Sequence, residues 1–223
     1  MVIAGLSQSR WRLGLPGAAC SFAMSVFNYL LEQTFVYSLW QAPFASAKLA
    51  PLLAHNDIDC ARRVLDVGCG PGTNTPLFAH ADYLGIDINP NYIAHAQRKY
   101  SRQFAVADAS SYDQPIGTGY DVILVNSFLH HVGDSDAHTI LRRLQSWLSP
   151  DGHMHLLELV LPEEHSLQRF MARRDRGEYP RHFEDWRAMF AQHLDIVVCE
   201  PYKLGTLGIK LWNMIYCKGR TKR

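Results

Sequence analysis

Gly68, Gly70 and Gly72 follow directly on the apolar run Val64-Leu65-Asp66-Val67 and precede Thr73. A buried strand that ends in such a loop can turn tightly into a helix and lets a ligand approach the backbone with no Cβ in the way. Amides opening that helix could receive an anionic group. About twenty residues downstream, Asp87 lies at the end of a second run, Tyr83 to Ile88, the spacing at which a carboxylate accepts hydrogen bonds from two ribose hydroxyls. Asp87 could instead cap the helix that follows, where Asp is favoured; with the glycine loop in place, ribose binding is the stronger reading. The main rival is a nicotinamide dinucleotide enzyme. Its G-x-G-x-x-G pattern needs glycine at position 73, where this chain has Thr73, and no second mononucleotide-binding half follows.

Two further groups of residues could do chemistry. His130 and His131 stand just past a fourth apolar run, and an imidazole titrates near neutrality, as a general base requires. Shaping a pocket is the other reading for this pair, and no chemistry is assigned to the remaining histidines. Between Glu163 and His182, Arg169, Arg173, Arg174, Arg176 and Arg181 cluster with Asp175 and Tyr179. A solvated face offset by Glu163, Glu164, Asp175 and Glu178 explains much of this. The sharper expectation is that Arg176 and Arg181, with Tyr179 nearby, grip a carboxylate or phosphate on an acceptor. The 5 cysteines form no C-x-x-C pair and no zinc-type cluster, so reduced packing thiols and no metal are expected.

Repeated strand–turn–helix units must position these groups, and that alternation is the mark of a parallel sheet with right-handed crossovers. Strands are expected at Arg63–Val67, Tyr83–Ile88, Gln103–Ala107, Tyr120–Asn126 and His153–Val160, the last after a turn at Pro150-Asp151-Gly152. Helices are expected at Asn74–His80, Asn91–Tyr100, Ser135–Leu148 and Phe183–His193. Ile196–Tyr202 and Lys210–Cys217 are too close for a crossover helix, so they should pair antiparallel. The expected fold class is α/β, a three-layer sandwich around a Rossmann-like, seven-stranded mixed sheet with an antiparallel last strand. An N-terminal helical cap is added to it. Residues 1–59 are read as that extension and 60–223 as the main domain, with a cap insertion at about 163–182.

In this order and spacing the chain resembles the Rossmann-like S-adenosylmethionine-dependent methyltransferases, of the small-molecule type. Asp66 to Thr73 looks like their first motif, Tyr83-Leu84-Gly85-Ile86-Asp87 their second, and Ala105-Val106-Ala107-Asp108-Ala109 their third. Tyr120 to Ser127 resembles their fourth, and Leu148-Ser149-Pro150-Asp151-Gly152 the turn before their fifth strand. The resemblance implies S-adenosylmethionine as cofactor and methyl transfer to a small organic acceptor, at oxygen or carbon. It places Gly68, Gly70 and Gly72 against the methionine part, Asp66 near its amino group and Asp87 on the ribose, with Ile88 beside it. Asp108 would meet the adenine amine, Ala109 would pack on the ring, and Asn126 would face the reacting centre. Alternatives are a protein or RNA methyltransferase and a non-catalytic cofactor-binding module.

Net charge of +1 argues against broad capture of nucleic acid. Asn126-Ser127-Phe128-Leu129 also lacks the paired prolines of DNA amino-methylating enzymes. The uncharged segment Leu13 to Leu31 superficially resembles a membrane span, but Gly14, Pro16, Gly17, Ser21, Ser25 and Asn28 dilute it, so no span is expected. From about Met24 the pattern reads as an amphipathic cap helix whose aromatics, Phe27, Tyr29, Phe35, Tyr37, Trp40 and Phe44, could wall the acceptor pocket. Met24 could also be the biological start. A cytoplasmic location is expected, and the partner is a small, anionic acceptor; oligomeric state is not legible.

Overall fold

The computed structural model describes residues 45–55, 58–113, 119–174, 178–206 and 209–222. The expected cap-helix aromatics and Arg176 lie outside these residues. Of the N-terminal extension, the described part includes α1 (Ala45–Ala54).

The strands are β1 (Arg63–Val67), β2 (Asp82–Asp87), β3 (Gln103–Val106), β4 (Tyr120–Asn126), β5 (Leu148–Val160), β6 (Leu194–Thr206) and β7 (Ile209–Thr221). They form a 7-stranded sheet in the order β3-β2-β1-β4-β5-β7-β6. β1 to β5 pair in parallel, and β7 runs antiparallel to both neighbours, β5 and β6. The helices α2 (Pro90–Lys99), α3 (Asp134–Ser146), α4 (Leu167–Arg174) and α5 (Phe183–His193) connect them.

The alternating directions of strand side chains build the two cores. In β4, Ile123 and Val125 join a cluster with Ile140, Leu141 and Leu144 of α3 and Trp186 and Phe190 of α5. Val122 and Leu124 point the other way, into a cluster with Leu49 and Leu52 of α1 and Ile93 and Ala96 of α2. Helices on both faces make the expected three-layer α/β sandwich. Among the described residues no helix is long and apolar enough to cross a membrane.

Two local expectations change. The turn at Pro150-Asp151-Gly152 lies within β5, where Tyr120 pairs with Leu148 and Val122 with His153, so the extra residues form an irregularity in one ladder. The helix expected at Asn74–His80 is a 3-10 turn, Thr75–Phe78, because β2 begins at Asp82 and leaves no room for further turns.

Candidate cofactor and acceptor site

Five parallel strands ending on one side of a sheet leave a crevice at their carboxyl ends, where order reverses between β1 and β4. A cleft of about 550 Å³ opens there, within the range of roughly 300–1,000 Å³ that suits small ligands. Gly68 and Gly70 of the loop after β1, Asp87 and Ile88 of β2's end, and Asp108 and Ala109 after β3 line it. Ser127, Phe128, His131 and Val132 after β4 complete one wall, with Asp136 and Ile140 of α3, while Tyr92 of α2 lines the cleft as well.

Gly68 (φ +68) occupies the left-handed region, and a Cβ on it would stand 3.0 Å from Phe128. The amides of Gly68, Cys69, Gly70 and Gly72 are used within the protein. Gly68 and Cys69 donate to the Ile86 carbonyl at 2.9 and 3.0 Å, and Gly72 donates to Cys69 at 3.1 Å. Gly70 donates to Asp87 Oδ2 at 2.9 Å. Thr75, opening the short 3-10 turn, donates to the Gly72 carbonyl. The Thr75 amide, at the start of the turn, is therefore engaged within the protein.

Asp87 does not cap α2. That role belongs to Asn89, whose side chain accepts from the amides of Asn91 and Tyr92. The two oxygens of Asp87 instead accept Gly70 and, at 2.8 Å, Asn89. Burial pushes its pKa up, and the two amides pull it partly back. Asp108 accepts the amide and hydroxyl of Ser110 through Oδ1, at 2.8 and 2.7 Å. With Asp136, three carboxylates line the cleft among the described residues, and no Lys or Arg does.

Asp66, Gly72 and Asn126 stand behind the lining. Asp66 is fully buried, accepting from the Tyr83 hydroxyl at 2.8 Å and from Asn74 Nδ2 at 3.3 Å. Burial raises its pKa to about 7 against these hydrogen bonds, and the charge of Asp87 adds to the rise. Asn126 Nδ2 donates to Asn74 Oδ1 at 3.4 Å, and its buried Oδ1 has no partner among the described residues. Tyr83, Asn74 and Asn126 thus form a polar chain around Asp66, and an orphaned acceptor at its end awaits a donor.

The histidine pair divides. His131 lines the cleft, whereas His130 is 2% exposed and its Nδ1 lies 2.7 Å from Glu158 Oε2. Burial alone would push the Glu158 pKa up; the His130 hydrogen bond and charge, together with the Leu129 and Phe128 amides, hold it below the ordinary value.

Arg181 is 8% exposed, and its guanidinium meets the carbonyls of Leu129, Tyr179 and Val132 and the carboxylate of Asp134. It also lies over the Trp186 ring, 4.5 Å from the centroid. The expected grip on an acceptor is replaced by a structural set of bonds. Tyr179 is 44% exposed and stands near Gly133. Sequence reasoning missed Asn74, Tyr83, Tyr92, Asp136 and Glu158. Glu158 had a signal, a lone carboxylate inside the apolar run Leu156 to Val160. Among the described residues, no group of acidic, histidine or cysteine side chains could hold a metal ion.

Residues 64–152 match the family model of the methyltransferase domain. The chain is 32% identical over 133 residues to a trans-aconitate 2-methyltransferase from Methylobacterium radiotolerans, covering 55% of this chain and 48% of that protein. It is 31% identical over 147 residues to the enzyme of the same name from Delftia acidovorans, covering 62% and 53%. The chain thus spans about half the length of the curated relatives it matches. In fold it resembles the N-methyltransferase NodS from Bradyrhizobium japonicum in complex with S-adenosyl-L-homocysteine, with a TM-score of 0.61 and 17% identity over 80% of this chain and 86% of that one.

Proposed function

We propose that this chain, whose residues 64–152 make up a methyltransferase domain, methylates a small organic acid using S-adenosylmethionine. The observation that carries the cofactor half of this reading is the acidic lining of the cleft. Asp87, Asp108 and Asp136 face a ligand with no Lys or Arg among the described lining residues, which suits a sulfonium and opposes a pyrophosphate. The amides of Gly68, Cys69, Gly70 and Gly72, spent within the protein, argue the same way.

The residues present fit this cofactor. Asp87 would hold the ribose, Asp108 the adenine amine, and Ile88 and Ala109 the ring, with Gly68 and Gly70 against the methionine chain. The orphaned Asn126 Oδ1 and the carboxyl of Asp66 behind it suit an ammonium donor. When bound, S-adenosylmethionine supplies an electrophilic methyl group on a positively charged sulfur.

The chain's own contribution is then alignment and exclusion of water. A carboxylate acceptor carries no proton to remove at neutral pH, so His131 would orient it; with a hydroxyl or carbon acceptor His131 would serve as base. The relatives are named for trans-aconitate, a small polycarboxylate, which favours the carboxylate case. Since Arg181 is committed elsewhere, Arg176 becomes the arginine proposed to grip the acceptor, together with Tyr179.

Calorimetric titration with S-adenosylhomocysteine and NADH, then mass spectrometry of a panel of small carboxylic acids incubated with S-adenosylmethionine, tests this. Micromolar binding of the homocysteine compound and a methylated acid support it. Binding of NADH alone would overturn it.

A further inference from the structure

We infer that Glu158 and Arg181 act as a two-ended clamp that positions the segment after β4, and with it Phe128 and His131, in the cleft. The inference rests on the methyltransferase reading for its purpose, and on the backbone of residues 127–132 for its substance. A turn this close to a cleft must place every buried N–H and C=O. Ser127, in the left-handed region at φ 54, donates its amide to the Leu157 carbonyl at 2.7 Å. The next two amides, Phe128 and Leu129, both end on Glu158 Oε1 at 3.0 and 2.8 Å. On the other side the carbonyls of Leu129 and Val132 accept from Arg181 at 3.1 and 3.0 Å. Between them the His130 carbonyl accepts the Tyr179 amide at 3.0 Å.

Two donors of the turn therefore close on a buried anion and two of its acceptors on a nearly buried cation. Charge-assisted bonds of this kind are stronger than neutral ones and fix direction as well as distance. Each charge has its own counterweight: His130 Nδ1 for Glu158, and Asp134 with the Trp186 ring for Arg181. Arg181 is also tied to the end of β5, since Leu161 donates to its carbonyl at 2.8 Å. One residue thus joins the segment that ends the expected acceptor cap to the wall of the cofactor cleft. Neither Glu158 nor Arg181 lines the cleft, so both are positioning residues.

The test uses the full chain labelled with nitrogen-15 in its histidines. Glu158→Gln keeps an oxygen for the two amides but presents an NH₂ to His130, which must then accept at Nδ1 instead of donating. Arg181→Lys keeps the charge and loses the fork that spans two carbonyls and Asp134. Leu52→Ala, a core truncation in α1, is the control for stability alone. We expect a changed His130 tautomer in the Gln variant and shifted His131 ring resonances in both clamp variants. Affinity for S-adenosylhomocysteine should fall at least about tenfold (about 1.4 kcal/mol) in both, and less than about twofold in the control, at a temperature where all are folded. Unmoved His131 resonances with affinity within about twofold of the parent in both clamp variants would overturn the clamp. The resonances are read without any ligand, so a parent protein that fails to bind S-adenosylhomocysteine overturns the methyltransferase reading separately.

Discussion

The Tyr83 hydroxyl donates to the Asp66 carboxyl at 2.8 Å in a fully buried position behind the glycine loop. One bond from Tyr83 and a longer one from Asn74 do not offset the loss of water, so the Asp66 pKa rises from 3.8 to about 7. The folded chain then holds this proton up to about pH 7, whereas the unfolded chain releases it near pH 3.8. Stability is accordingly expected to fall as pH rises from about 4 to about 7, by up to about 4 kcal/mol from this group, and to level off above. Urea titrations across that range should show the slope, and Asp66→Asn should flatten it. An ammonium bound nearby favours the ionised carboxyl, so S-adenosylhomocysteine binding near neutral pH should release protons. Calorimetry in buffers of different ionisation enthalpy measures that release; a heat independent of buffer would contradict the placement of Asp66 beside the ligand's amine.

Asp87 ties the glycine loop to the start of α2 and is the residue proposed to hold the ribose. Asp87→Ala removes the proposed ribose acceptor and strands the amides of Gly70 and Asn89, so affinity for S-adenosylhomocysteine should drop at least about tenfold, or about 1.4 kcal/mol. Asp87→Asn keeps one acceptor oxygen and should lose less. Equal losses in a titration of the two variants would mean that charge alone, and not the acceptor geometry, holds the ligand.

What the sequence made legible follows from the range of the forces involved. β1 and β4 were read with correct bounds because a parallel strand covered on both faces must be largely apolar. Gly68, Gly70 and Asp87 were legible because a tight turn and a strand-end carboxylate are demands of the local backbone. The set Tyr83, Asp66 and Asn74 converges from β2, β1 and a 3-10 turn, and no spacing along the chain announces it. Pro150-Asp151-Gly152 has turn chemistry, yet renewed pairing of Leu148 with Tyr120 drew it into β5. Arg181 looked like a free surface cation; only the fold brings the carbonyls of Leu129 and Val132 to it.

Gly72 does not line the cleft, and its role separates from that of Gly68. A Cβ at Gly72, where φ is +81, would stand 2.9 Å from the Tyr100 ring. Gly72→Ala should cost roughly 1–2 kcal/mol from the left-handed backbone, plus the clash. Affinity for S-adenosylhomocysteine should stay within a few-fold while the chain is folded. Tyr100→Ala in the same chain should recover the clash portion, so the double variant will be less destabilised than the sum. Gly68→Ala presses on Phe128 inside the cleft wall and should lose affinity as well as stability. Thermal melts beside ligand titrations of the three variants check the separation.

The adjacent histidines should respond in opposite ways. Their rings pack with centroids 4.2 Å apart, but only His131 reaches the cleft. His130→Ala leaves the ionised, buried Glu158 without its side-chain donor, and breaking such a pair typically costs about 3–5 kcal/mol. Two backbone amides still reach Glu158, so the lower end of that range is expected here. His131→Ala, at an exposed position, should change stability by less than about 0.5 kcal/mol. Its effect should instead fall on methyl transfer. With a carboxylic acid as acceptor the loss should appear mainly in KM, because no proton leaves the acceptor. With a hydroxyl acceptor it should appear in kcat, together with the loss of the titration of an imidazole from the pH profile. Denaturant melts and steady-state rates of the two variants, measured on the acid that the panel identifies, distinguish the support from the working residue. A His131→Ala variant that melts early while its rate is unchanged would exchange the two roles.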